Sequence, residues 1–170
     1  MADIKQELTE ALIQAIKAER DGHSFYTMAA KGTDDPKGKE IFETLALEEL
    51  DHMNFLRAQY DSIIKTGQPD TKVKLGPKAD LDNISPIFSK NIKGRISEAH
   101  IEMSALSIGI QLELEATKFY QTHADAAADP AIKAFFTELA QWENGHYHAL
   151  LSQQEEFKAD YWSDGGFAPF

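Results

Sequence analysis

Two stretches of the chain place a carboxylate and an imidazole three residues apart: Glu49-Leu50-Asp51-His52 and Glu143-Asn144-Gly145-His146. On a helix, positions i and i+3 lie on one face, so each stretch can offer both groups to a single ion. Glu19 and Glu113 stand 30 residues ahead of Glu49 and Glu143. All four glutamates fall in the middle of apolar stripes. The same-face neighbours are Leu12, Ile16 and Tyr26 for Glu19, and Leu106, Ile110 and Tyr120 for Glu113. For Glu49 they are Phe42, Leu45 and Leu56, and for Glu143 they are Phe136, Leu139 and Leu150.

Four buried carboxylates without compensation would be very costly. Buried charges are paired or bind metal, and no Lys or Arg falls on these stripes. Two divalent cations cancel the charge of four glutamates, which favours a dinuclear site over a single ion. In this reading each Glu-x-x-His pair serves one metal, and Glu19 and Glu113 bridge the two. The donor set suits iron or manganese better than copper or structural zinc.

One isolated Glu-x-x-His carries little weight, because charged residues are mostly exposed. The repeat changes that. A shift of 94 residues lays residues 11–60 on 105–154 without a gap, and 17 of the 50 positions are identical. They include Leu12/Leu106, Glu19/Glu113, Phe25/Phe119, Tyr26/Tyr120, Asp35/Asp129, Pro36/Pro130, Glu49/Glu143 and His52/His146. The chain is therefore two copies of one helical hairpin.

Apolar and small residues recur with a helical period from Leu8 to Ala30, which predicts a helix over residues 4–31. Asp35-Pro36 starts a second helix that runs to about Lys65, where Gly67-Gln68-Pro69 ends it. A third is predicted over Ser97–Ala127, and Asp129-Pro130 opens a fourth that ends near Ala159. Two such hairpins bury their faces as a four-helix bundle. If a two-fold axis relates them, helix 2 runs parallel to helix 3, and the connection must travel back along the bundle. A helix of about 30 residues is roughly 45 Å long. Residues 67–95 can span that at roughly 3.3 Å each, with a short helical turn near Ile84–Phe88. The predicted organisation is one all-α domain over residues 1–160 and an aromatic tail over 161–170, with Trp162, Phe167 and Phe170.

Composition narrows the classes. There is no cysteine, which removes disulfides, thiolate nucleophiles and thiolate metal sites. The formal charge of −11 disfavours nucleic acid as a partner. No apolar run is long enough to span a membrane. The N-terminus is acidic and polar, so the expected compartment is the cytoplasm.

These motifs resemble the ferritin-like di-iron superfamily, and most closely its rubrerythrin branch, over about residues 8–157. The bundle principle used above describes this class itself. The resemblance implies a ferritin-like four-helix bundle with two iron ions per chain, or manganese or a mixed pair. Glu19, Glu49, His52, Glu113, Glu143 and His146 would be the ligands, and Tyr26 and Tyr120 would hydrogen-bond them. It implies reduction of hydrogen peroxide or dioxygen. Rubrerythrins carry a cysteine-bearing rubredoxin-type domain. Without cysteine, this chain would take electrons from an external donor such as a rubredoxin or a flavoprotein. The family also has a glutamate three residues after the third-helix ligand, where this chain has Ala116, with Gly22 as its repeat partner. The alternative is a ferroxidase or iron-storage protein of ferritin or bacterioferritin type. A substrate oxygenase is disfavoured, because 170 residues leave little room for a large pocket. The expected assembly is a homodimer.

The remaining polar residues read more plainly. His23 is expected to hydrogen-bond in the core or at its rim, and His123 and His148 to be surface residues. Phe25 and Phe119 read as core. Glu48, Asp51, Asp21 and Glu115 read as solvated charges, one of which could orient a histidine.

Overall fold

The computed structural model describes residues 2–79, 87–90 and 99–164. Four helices are present: α1 (Ala2–Gly32), α2 (Pro36–Thr66), α3 (His100–Ala126) and α4 (Pro130–Asp164). Helix α4 runs five residues beyond its predicted end, because nothing from Asp160 to Asp164 breaks a helix before Gly165-Gly166. The residues expected to begin the third helix ahead of Ala99 lie outside the described part. So do most of the turn expected at Ile84–Phe88 and the end of the aromatic tail; Ile87 and Phe88 themselves form a bend.

Both hairpins start from the same chemistry. Asp35 caps α2, its carboxylate accepting from the Gly38 amide at 2.8 Å, with Pro36 in the first turn. Asp129 caps α4 in the same manner, accepting from the Ala131 and Ile132 amides at 2.8 and 3.2 Å. Aspartate satisfies amides that the helix itself leaves free, and proline needs no such partner. Gly67 ends α2 in the left-handed conformation, at φ +77°, which a glycine adopts without strain.

Contacts across the bundle fix its topology. Tyr26 meets Glu113 while Tyr120 meets Glu19, so α1 and α3 are antiparallel. His146 meets Glu48 while Trp142 packs on His52, so α2 and α4 are antiparallel as well. Each hairpin is antiparallel within itself, so α2 runs parallel to α3, as the repeat requires. The connection travels back along α2 in register. Gln59 holds both the amide and the carbonyl of Asp70 at 2.9 Å, Glu48 accepts from the Ala79 amide, and Asp35 accepts from Ser89. Gln153, the repeat partner of Gln59, clamps the Ile87 amide from α4.

Two apolar clusters fill the bundle, one containing Tyr26, Phe42, Leu45, Leu106 and Leu150, the other Tyr120, Phe136, Leu139, Leu12 and Leu56. The repeat exchanges one set for the other. The pseudo-two-fold axis therefore passes between them, through the layer of glutamates and histidines. Phe88 from the crossover joins the first cluster, stacked on Phe157 at 5.1 Å.

Asp35 does more than cap, since it also ties the crossover at Ser89. Burial pushes its carboxyl up, but the Ser89 hydroxyl and the Gly38 and Ser89 amides outweigh this and hold it below the ordinary carboxylate range. A carboxyl depressed in the folded state stabilises above its unfolded value, and the contribution fades as pH falls through the folded one. Asp35→Ala is expected to cost about 1–2 kcal/mol at pH 7, more than Asp129→Ala. Urea unfolding should show the gap between the two variants closing below about pH 4.

Candidate metal centre

Helix periodicity brings the six residues into one layer. Glu19, Glu49, His52, Glu113, Glu143 and His146 are all at most 5% exposed. They form two overlapping groups of four, each able to hold a metal ion: Glu19, Glu49, His52 and Glu143, and Glu49, Glu113, Glu143 and His146. Within each group the donor atoms lie within 4.8 Å of one another. The pseudo-two-fold turns one group into the other. The members common to both groups are Glu49 and Glu143, whereas the sequence reading takes Glu19 and Glu113 as the bridging pair. Glu19 and Glu113 each belong to one group only. His52 Nδ1 lies 2.8 Å from Glu143 of the opposite hairpin and 3.4 Å from Glu19.

Both histidines turn Nδ1 toward the carboxylates. His146 Nδ1 is 3.3 Å from Glu143, 3.5 Å from Glu113 and 3.6 Å from Glu49. Yet Glu49 Oε1, both oxygens of Glu143 and the Nδ1 atoms of His52 and His146 have no aligned hydrogen-bond partner. Buried polar atoms are almost always hydrogen-bonded. Donor atoms that converge within 4.8 Å of one another without hydrogen-bond partners are grouped as the ligands of a cation are. The residues fit a metal of the kind their oxygen and nitrogen donors select.

The electrostatics say the same. Burial drives Glu49 well above the ordinary carboxylate range, with the charges of Glu143, Glu19 and Glu113 adding to it. Burial also pushes Glu113 up to about 8, against the pull of His146. Burial works the same way on Glu143, but His52 and His146 outweigh it and hold that carboxyl well below its usual value. The histidines are raised, burial opposing and the carboxylates prevailing. The cluster thus keeps protons that an incoming cation must displace.

A cavity of about 370 Å³ opens onto this layer between α1 and α3, touching Glu19, Glu49 and Glu113. Gly22 and Ala116, one turn beyond Glu19 and Glu113, both line it, and a Cβ at Gly22 would come within 2.8 Å of the Glu49 carboxylate.

Residues 10–153 match the family profile described as Rubrerythrin. The chain belongs to the rubrerythrin family. No curated protein and no solved structure matches it significantly. Rubrerythrins bind iron, and the buried groups here could hold metal ions.

Around this rubrerythrin-type cluster, Tyr26 donates to Glu113 and Tyr120 to Glu19, so each tyrosine crosses the bundle to fix the other hairpin's glutamate. Burial and the accepting carboxylates raise both phenols, which keeps them protonated as donors. Sequence reasoning left Glu48 among four flanking charges. In the structure it is buried and accepts from His146 Nε2 at 2.5 Å and from the Ala79 amide at 2.5 Å. An Nε2 hydrogen donated to Glu48 leaves the Nδ1 lone pair free for a cation. His52 has no such partner on Nε2; Trp142, the repeat partner of Glu48, packs edge-on against its ring at 4.9 Å. Asp51, Asp21 and Glu115 are exposed as expected.

His23 bonds the Ala46 carbonyl at 2.7 Å and stays out of the cluster. His148 is exposed. His123 is not the surface residue expected: it is half-buried between Phe119 and Phe136, and burial lowers its pKa. Phe25 and Phe119 are partly buried against the core.

A glutamine at position 48 offers one acceptor oxygen where glutamate uses two, so His146 or Ala79 loses its partner. Glu48→Gln is expected to weaken metal binding by roughly 10–100-fold while helicity is kept. Anaerobic calorimetric titration with Mn²⁺ or Fe²⁺, beside circular dichroism, checks this.

Proposed function

We propose that this chain is an oxidoreductase that reduces hydrogen peroxide at two iron ions held by Glu19, Glu49, His52, Glu113, Glu143 and His146. Its electrons come from an external donor such as a rubredoxin or a flavoprotein. The observation that carries this reading is the pair of overlapping donor groups with unpartnered, convergent atoms on a pseudo-two-fold axis. Two positions related by the fold call for two cations, and four glutamates balance their charge. Iron, when bound, supplies the redox equivalents for cleaving an O–O bond.

The protein's part is to hold and to exclude. Tyr26 and Tyr120 lock the rotamers of Glu113 and Glu19. Glu48 does the same for His146. The apolar clusters on either side keep bulk water from the layer, and the cavity between α1 and α3 leaves one face open to a small oxidant. The same reading takes the protein as a cytoplasmic homodimer. Among the described residues no helix is long and apolar enough to cross a membrane.

Anaerobic loading with ferrous iron, followed by stopped-flow mixing with hydrogen peroxide or dioxygen, tests the activity. Two irons per chain oxidised much faster by peroxide, with no further iron accumulating, is the expected result. Faster reaction with dioxygen and retention of iron far beyond that number would point instead to ferroxidase or storage work.

Metal should also stabilise. Binding at a thousandfold excess over Kd adds about 4 kcal/mol, which in a domain of this size raises Tm by roughly 8–16 °C. Glu113→Gln replaces a carboxyl that burial already disposes to keep its proton near neutral pH, and it leaves Tyr26 an acceptor. It is expected to keep or raise the Tm of the metal-free protein and to lose most of the gain on metal addition, read by calorimetry with and without chelator.

A further inference from the structure

Hydrogen peroxide does not need the space that faces the carboxylate layer. The cavity of about 370 Å³ is in the range that takes small organic ligands, roughly 300–1,000 Å³. One water occupies only about 30 Å³ of liquid. Its position is specific. The inner end is formed by Glu19, Glu49 and Glu113 with Tyr26 and Tyr120, and the walls by Ala18, Gly22, Leu112, Ala116 and Phe119. Gly22 and Ala116 occupy equivalent places on the two hairpins, and both line the cavity.

The lining also says what kind of molecule fits. No Lys, Arg or His lines the cavity, and Asp21 and Glu115 stand at its exposed edge, so an anionic head group is disfavoured. The carboxylates of the inner end are committed to the metal layer, and between them and the exposed edge, where Gln14, Asp21 and Glu115 stand, Ala18, Leu112, Ala116 and Phe119 give a further hydrated cation nothing to replace its water with. A neutral molecule suits both ends: an oxygen function toward the carboxylate layer and a short hydrocarbon body against Leu112, Ala116 and Phe119.

We infer that the cavity binds a neutral organic hydroperoxide, its O–O group toward the carboxylate layer and its alkyl or aryl part between α1 and α3. This inference rests on the peroxide-reducing reading above and names its substrate class. The reaction is ROOH + 2 e⁻ + 2 H⁺ → ROH + H₂O. The O–O bond breaks, the two electrons come from the ferrous pair recharged by a one-electron carrier, and solvent supplies the protons.

The test uses the full chain loaded anaerobically with ferrous iron and mixed with either cumene hydroperoxide or hydrogen peroxide. The expected product is one 2-phenyl-2-propanol for each pair of irons oxidised. Ala116→Leu fills one wall. Ala18→Leu fills the opposite wall from an exposed position, so it puts no load on the core. Each is expected to slow the cumene hydroperoxide reaction by roughly tenfold or more relative to that of hydrogen peroxide.

Binding is read separately on the metal-free protein, as saturable shifts of the Leu112 and Ala116 methyl signals on adding 2-phenyl-2-propanol, abolished in Ala18→Leu. The inference is overturned if those shifts are absent. It is equally overturned if cumene hydroperoxide leaves the iron reduced while hydrogen peroxide oxidises it, or if the variants slow both peroxides alike. If neither peroxide oxidises the iron, the peroxide-reducing reading itself fails and the substrate assignment falls with it; the methyl shifts then report on the cavity alone.

Discussion

Crowded negative charge in an apolar interior is the constraint from which the rest of this protein follows. Four glutamates lie within a few ångströms of one another with almost no access to water. Side chains so placed cannot all ionise unless positive charge is brought to them. The protein alone reaches only a compromise, in which Glu49 and Glu113 resist ionisation while Glu143 leans on the histidines. Divalent cations resolve it, because they replace the protons and use every lone pair that the cluster leaves unpartnered. Residues that would otherwise weaken the fold thus become a reason for it to close around metal.

Duplication answers the need for two equivalent positions, and it brings a topological consequence. A two-fold axis through the carboxylate layer forces α2 and α3 to run parallel, and a parallel pair cannot be joined by a tight turn. The crossover must retrace the length of α2, where its backbone would present polar groups to a largely apolar surface. Gln59 and Gln153 meet part of this demand, repeat partners that each clamp a crossover segment. Glu48 meets another part and, by the same carboxylate, orients His146. One side chain therefore joins the long connection to the metal layer.

Much of this was legible in the sequence because the signals were periodic and repeated. Glu-x-x-His on an apolar stripe, found twice at one spacing, identifies the ligand helices, and Asp35-Pro36 with Asp129-Pro130 marks where two of them start. The tyrosines were legible through their fixed offset from Glu19 and Glu113. What was not legible depends on distances between helices. That Glu49 and Glu143 fall in both donor groups follows from how far each hairpin reaches across the axis, which a linear pattern does not encode. Glu48 looks like any charge beside a ligand until Ala79 is known to pass over it. The cavity was invisible because it lies between α1 and α3, and no linear pattern encodes how closely two helices approach.

The positions where the two halves differ then acquire meaning. Identical pairs build the metal layer and its two flanking clusters. Two of the divergent pairs lie under the crossover, which contacts only one copy of each. Glu48 receives the Ala79 amide while Trp142 packs on His52. A Cβ at Gly38 would collide with Phe88, whereas its partner Ile132 packs against the second apolar cluster. A single asymmetric connection laid on a symmetric bundle has to break the symmetry of whatever it touches. The two histidines, related by the fold and both turned with Nδ1 toward the carboxylates, consequently sit in different surroundings, one tethered through Glu48 to the chain outside the bundle and one packed against Trp142.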